Sequence, residues 1–385
     1  MKSRRIDRKL HKRPDAFLNA HLQNDAKVPK LPEKKKFRIR VTKKRVIVFF
    51  VIALFGITGI TFYVMHHQKQ TSASVVKPKA INVLVPSTLS GLPVTPSVNL
   101  RPVTAVMIEN STDARPQSGL DQASVVFEAI AEGGITRFMA LYQDSLPAYI
   151  GPVRSARPYY ISWALGFDAA YAHVGGSSEG LQDIQTWGVK DMDEFYNDSA
   201  YERITSRYAP HNVYTGFPQL TTLEQSKGFV SSNFTGFPRK ADSPSQAPNA
   251  TKIDFVLSGP DYDAHFDYAP STNSYLRSQA GSPHMVVDQN GVQKQINSKV
   301  VIAMVVPLGE GALDASGAYY SDYTTIGSGQ AYVFQDGNVT LGSWTKNANT
   351  AQISFTDSAS NVLKLNAGQT WITAVSDSGS VSYTN

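Results

Sequence analysis

The run "IGPVRSARPYY" at residues 150–160 fixes two arginines three positions apart, with Pro152 before them and Pro158 after. A guanidinium is a permanently charged planar fork of donors, suited to bidentate contact with phosphate or carboxylate. Two such groups in one short segment read as a place to hold an anion. Three apart, Arg154 and Arg157 share a face if the backbone is helical and point to opposite faces if it is extended. Pro158 disfavours helical backbone at Arg157, so a loop after a strand is expected, with Arg157 the ligand-facing cation. The alternative is that one or both pair with Glu109, Glu128, Glu132 or Asp168 and tie sheet edges together.

Four further residues carry polar chemistry of the same kind. Arg137 lies in "ITRFMALYQ", and His173 in "YAHVGGS", where two glycines allow close backbone approach to a ligand. His211 and Asn212, in "APHNVYT", set an imidazole beside an amide, a pair able to donate to an oxyanion or a sugar hydroxyl. No G-x-S-x-G elbow, H-E-x-x-H or P-loop occurs, so the serine-hydrolase, zincin and nucleoside-triphosphatase readings lack their sequence context. No cofactor is expected.

The elements that must position these residues follow from periodicity. "SVVFEAIAE" and "ITRFMALYQ" are β-rich runs separated by Gly133-Gly134, the signature of a two-residue hairpin. That register sets Ile130 opposite Arg137 and places Glu128, Glu132 and Arg137 on one polar face, leaving Val125, Phe127, Ala129, Phe138 and Ala140 on an apolar one. "PYYISWALGF" and "EGLQDIQTWG" read as helices around a short strand, "AAYAHVGG". Further on, Asn290-Gly291 and Asp336-Gly337 punctuate alternating runs and predict a mostly β second half, a small sandwich or barrel-like sheet. The fold class is α+β. The expected divisions are a tail at 1–45, a membrane helix at 46–65, a Pro-rich stalk at 66–98, an α/β domain at 99–237, a linker at 238–250, a β-rich domain at 251–377 and a short tail at 378–385.

Charge is distributed unevenly along the 385 residues. Residues 1–45 hold 17 of the 37 Lys and Arg against four acids, a local net of +13; the remainder, 20 basic against 27 acidic, is −7. The basic tail is read as a topology signal and a ligand for anionic lipids; no nucleic-acid partner is expected. It runs into "VIVFFVIALFGITGITFYVM", twenty uncharged residues, enough at 1.5 Å rise to cross the hydrocarbon of a bilayer. The positive flank places the N-terminus in the cytoplasm and the body outside, with one membrane pass. There is no cysteine, which fits an exported protein of a Gram-positive-like cell envelope.

The stretch "RPVTAVMIENSTDARPQSGLDQASVVFEAIAEGGITRFMALYQ", with "IGPVRSARPYY", "YAHVGGS" and "APHNVYT", resembles the YerB-like family of bacterial envelope proteins. "TIGSGQAYVFQDGNVTLGSWTK" and "LKLNAGQTWITAV" look like its second domain. The resemblance implies a two-domain extracytoplasmic protein of unassigned biochemical function, and usually a lipidated cysteine, which this chain replaces with its apolar helix. A looser similarity links "ITRFMALY", "IGPVRSARP" and "DAAYAHVGG" to LytR-CpsA-Psr phosphotransferases. The reading is a tethered binder of an anionic or glycan ligand, such as a wall polymer or polyprenyl-linked polymer, through Arg137, Arg154, Arg157, His173, His211 and Asn212, with Glu109, Glu128, Glu132 and Asp168 as supporting acids. The alternatives are a phosphotransferase on polyprenyl-pyrophosphate-linked polymer, with a divalent cation at Glu109 or Glu128, and an envelope scaffold.

Overall fold

A computed structural model describes residues 43–67, 83–313, 317 and 319–385. Residues 1–42 of the expected basic tail and residues 68–82 of the stalk expected at 66–98 lie outside the described residues. The chain divides into two compact units, Met1–Lys79 and Ala80–Asn385. In the first, helix α1 (Lys43–His67) contains the uncharged run. Its span Phe50–His67 is long and apolar enough to cross a membrane, and every described side chain on it is exposed. Thr58 and Thr61 donate their hydroxyls back to the carbonyls of Leu54 and Ile57, which satisfies the polar groups without breaking the apolar surface.

The second unit is built on ten strands, labelled here in chain order: β1 (Thr104–Glu109), β2 (Val125–Ile130), β3 (Thr136–Tyr142), β4 (Ala170–His173), β5 (Lys190–Asp193), β6 (Val300–Val305), β7 (Gly327–Gln335), β8 (Asn338–Lys346), β9 (Ser354–Asp357) and β10 (Thr370–Val375). Their order in the sheet is β9-β8-β7-β6-β10-β2-β3-β1-β4-β5. Strands β1, β2, β4, β5, β6 and β10 run the same way, so their carboxyl ends share one edge, while β3 runs against them. Strands from both sides of residues 238–250 thus form one sheet, joined where β10 pairs in parallel with β2.

Both faces of this sheet are covered, which explains why its strands read as continuous apolar runs. On one face Ala105, Met107, Phe127, Met139 and Ile302 pack against α2 (Pro158–Leu165) and α3 (Ser178–Thr186). On the other, Val106, Ile108, Phe138, Ala303 and Trp371 meet α4 (Phe217–Lys227) and a second, six-stranded sheet. That sheet takes its strands from Lys252–Phe255, Ala264–Ala269, Ser274–Gln279 and Val381–Thr384, with two short segments beside them. The second half is mostly β as expected, but rather than closing on itself it splits between the two sheets.

The Gly133-Gly134 hairpin forms with a register one residue different from expectation. Ala131 N–H bonds Ile135 O, and Ile130 pairs with Thr136, so the loop is the three residues Glu132-Gly133-Gly134. Arg137 therefore faces Ala129, and Glu128 faces Phe138. A one-residue slip exchanges the faces of one strand relative to the other: Glu128 turns to the face away from Arg137, and Phe138 and Ala140 leave the face of Val125, Phe127 and Ala129. By contrast Asp336-Gly337 is a two-residue turn, with Gln335 opposite Asn338 and both loop residues at positive φ, +58° and +78°.

Candidate functional site

At the shared carboxyl edge, on the face covered by α2 and α3, three neighbouring strands end in polar residues: Arg137 opening β3, Glu109 closing β1 and His173 closing β4. Glu109 and Arg137 are direct cross-strand partners. Residues 150–157 cross this edge in extended form, as Arg154 N–H bonds Met107 O and Ala156 N–H bonds Gly175 O. Open parallel sheets place their ligand sites at such an edge, because the connecting loops gather there. The segment ends as Arg157, extended at φ −141°, enters α2 with Pro158 in the first turn. Tyr160 pins that helix by donating to Arg137 O (2.6 Å) and accepting from Ala129 N–H (3.0 Å).

Arg137 and Arg157 converge on one carboxylate. Glu132 accepts from Arg157 Nε (3.1 Å) and Nη2 (2.7 Å) with one oxygen and pairs with Arg137 through the other. Arg157 also donates to Ala156 O at 2.6 Å, and Tyr320 lies against its guanidinium, 4.6 Å from carbon to ring centre. Both arginines are buried, at 3% and 4% exposure. Burial, and after it the neighbouring Arg137 charge, push the Arg157 guanidinium below its ordinary pKa, against the opposing pull of Glu132. The arginine expected to face a ligand is therefore the inward one.

Arg154 is the outward one. Its Nε stands 3.2 Å from Glu109 Oε1, and its side chain is 23% exposed. Among the described residues its guanidinium donates no hydrogen bond, and its Nε is buried without a partner. Glu109 is otherwise well occupied: His211 Nδ1 lies 3.0 Å from Oε2, and Ser111 Oγ donates to Oε1 at 3.0 Å. Three arginines thus stand against the carboxylates of Glu109 and Glu132 at this edge, with Asp113 Oδ2 a further 4.0 Å from His211 Nε2. Of the three guanidinium groups, that of Arg154 keeps donors unspent, a fork that an anion can take.

The other expected residues part company. The His173 ring turns inward, with Nδ1 2.7 Å from Gly175 O and Nε2 2.9 Å from Asp191 Oδ1, so it braces the turn between β4 and α3. Gly175 in that turn has φ +55°, and a Cβ there would stand 2.8 Å from the Phe195 ring. Asn212 closes the 204–212 loop by donating to Ile204 O at 3.4 Å, leaving its Oδ1 buried without a partner among the described residues. Asp168 sits before β4, at the opposite edge of the sheet, paired with Lys190 at 2.8 Å. Glu128 lies beneath the other face. No group of three or more His, Cys, Asp or Glu that could hold a metal ion occurs among the described residues.

Comparison with known proteins places this geometry in a family. Residues 89–230 match the N-terminal domain, and residues 253–372 the C-terminal domain, of a protein family of unknown function (DUF3048). The chain is 29% identical over 293 residues to YerB of Bacillus subtilis (strain 168), a protein whose name assigns it provisionally to the lipoproteins. That match covers 75% of this chain and 86% of YerB. The chain belongs to the YerB-like family. The crystal structure of the Bacillus subtilis YerB protein superimposes with a TM-score of 0.69 at 27% identity, over 78% of this chain and 100% of that one.

The two family segments are locked together by a polar network that sequence reasoning missed. Arg277, from residues 253–372, donates to Glu128 Oε1 at 2.7 Å, and neither side chain is exposed. Trp371 Nε1 donates to Glu128 Oε2 at 2.9 Å. His284 contacts Arg277 through Nδ1 and Gln117 through Nε2 (3.0 Å), and Gln117 in turn donates to Asn110 Oδ1 (2.9 Å) and Glu109 O (3.0 Å). Burial, then the charges of Arg277 and Arg115, push His284 well below the ordinary histidine pKa. The one signal available was the alternation of "SYLRSQ", which turns Arg277 to the inside of its strand.

Proposed function

We propose that this YerB-like protein is a membrane-tethered, extracytoplasmic binding protein for an anionic glycan or wall polymer of the envelope. Arg154 and His211 contact the ligand, and Arg137, Arg157, Glu109 and Glu132 position them. The observation that carries this reading is Arg154, a guanidinium with no hydrogen bond among the described residues, part-exposed beside a cluster of two further arginines and two carboxylates. The saccharide component is supported by exposed aromatic rings on the flanking loops. Phe195, against Gly175, is 67% exposed, Tyr196 is 83% and Tyr208, whose carbonyl accepts from His211 N–H, is 92%. Rings of this kind offer an apolar face and, for tyrosine, a polar tip to a pyranose.

The tether is helix α1, with the basic tail cytoplasmic and the body outside, as the charge asymmetry around the apolar run supports. The name of the Bacillus subtilis relative agrees in compartment while implying a different anchor. The test is calorimetric titration of the full chain in nanodiscs with an anionic wall polymer, a neutral glycan and a polyprenyl pyrophosphate, with lipid phosphate release followed in the last. Saturable, salt-sensitive binding of the anionic polymer without turnover is expected. Release of lipid phosphate moves the assignment to the transferase, and absence of binding to all three moves it to the scaffold.

A further inference from the structure

Away from the carboxyl edge, between α4 and the segment that leads from the stalk into β1, lies a groove of about 330 Å³. Its walls are Leu100, Pro102, Leu146, Phe217, Phe229 and Val230. Three of these present their apolar groups to water: Leu100 is 72% exposed, Leu146 42% and Val230 63%. Among the lining residues there is a single carboxyl, that of Glu224 on α4, only 3% exposed. One of its oxygens accepts from Thr104 Oγ1 at 2.5 Å; among the described residues the other has no hydrogen-bond donor.

A carboxyl in an apolar groove with no ion-pair partner in contact among the described residues is an unusual thing to keep, since burial disfavours its charged form. The charged groups nearest to it are engaged elsewhere. Lys190 on β5 is held by Asp168 Oδ2 (2.8 Å), Asp168 O (3.0 Å) and Ser231 O (2.8 Å). Arg101, which also lines the groove, donates to Gln143 O at 3.4 Å. We infer that this groove is a second ligand site, one that takes a primary alkylammonium group, with the ammonium on Glu224 and its methylene stem along the Leu and Phe walls. A lysyl side chain of a peptide and a free alkylamine share this chemistry.

The same placement gives the site a pH dependence. Burial, offset in part by the Thr104 hydrogen bond and the Lys190 charge, raises Glu224 to about 7. An ammonium favours the carboxylate, so binding releases a proton, and affinity falls as pH drops below about 7, by roughly tenfold per unit once the acid form dominates.

The test uses the full chain in nanodiscs, titrated by calorimetry with butylamine, with butan-1-ol and butyrate as controls, at pH 6 and pH 8. A lysine blocked at both backbone ends serves as the peptide-borne arm. Butylamine is expected to bind at pH 8, about tenfold more weakly at pH 6, and more tightly than either control; Glu224→Gln is expected to remove that advantage, and Arg154→Gln to leave it intact. Binding by the blocked lysine as well assigns the site to peptide-borne amines, whereas butylamine alone assigns it to free ones. Proton uptake or release, read from two buffers of different ionisation enthalpy on the unaltered protein, gives a measure independent of how the variant folds. Butylamine no tighter than butan-1-ol, unchanged binding in Glu224→Gln, or no proton release at pH 7 would each overturn the assignment.

Discussion

Arg154 stands 3.2 Å from Glu109 across the carboxyl edge of the sheet, yet its side chain donates no hydrogen bond among the described residues. Three positions on, Arg157 donates to Glu132 twice and to Ala156 O once, beneath the Tyr320 ring. Three residues of extended chain thus separate an arginine that the edge presents from one that builds it.

Their substitutions should differ in kind. Arg157→Gln removes one of the two cations on a largely buried carboxylate and is expected to cost about 3 kcal/mol of unfolding free energy. Arg154→Gln leaves Glu109 with His211 and Ser111 and should cost less than about 1 kcal/mol. Denaturant melts of the two variants check this, and equal losses would contradict the division.

Arg277 and Glu128 make a cross-link that one-sided truncation should expose. Arg277→Met leaves Glu128 buried and uncompensated, a loss of about 3–5 kcal/mol, and adding Glu128→Leu should recover part of it. Because one sheet draws strands from both halves of the chain, the loss should appear in a single cooperative transition of residues 80–385. Two separate transitions, with only one shifted, would contradict this reading of the sheet.

Two buried groups should tilt stability in opposite directions over nearly the same pH range. His284 is held well below its unfolded value near 6.5, so the unfolded chain takes up the proton first, and stability falls as pH drops below about 6.5. Glu224 is raised from 4.5 to about 7, so its contribution is present at acid pH and is lost as pH rises from about 4.5 through 7. Glu224→Gln should therefore flatten the alkaline side and raise stability at pH 8, while His284→Gln should flatten the acid side. Melting temperatures across pH 5–8 for both variants decide the signs.

Much of the fold is legible in the sequence because it rests on local signals. The helices at "PYYISWAL" and "EGLQDIQT", the Asp336-Gly337 turn and the apolar span of α1 all follow from composition over short windows. What escapes is set by distant partners. The Gly133-Gly134 loop takes three residues rather than two, and with both sheet faces buried no polar-apolar alternation was present to reveal the slip. Arg137 shares a face with Glu132 in the sequence and does pair with it, whereas Arg157 reads as a ligand-facing cation because Glu132, the partner it shares with Arg137, is brought to it by that same loop. The alternation of "SYLRSQ" turns Arg277 inward but does not name its partner, and His284 had no local signature, since Glu128 and Gln117 lie 149 and 167 positions away.

The tether makes a simpler prediction. If the proposed topology holds, with the +13 tail cytoplasmic and the body outside, protease added to intact protoplasts should degrade residues 83–385 and spare an epitope on the tail. Protection of the body until the membrane is opened would reverse the topology.

The most direct measurement of the central claim is the affinity of an anionic wall polymer for the unaltered protein, Arg154→Gln and Arg154→Lys, read by calorimetry at two ionic strengths. The account predicts at least a tenfold loss in Arg154→Gln, a smaller loss in Arg154→Lys, where the charge remains but the planar fork is gone, and a weaker salt dependence in the Gln variant alone. Binding of equal strength and equal salt dependence in all three proteins would contradict it.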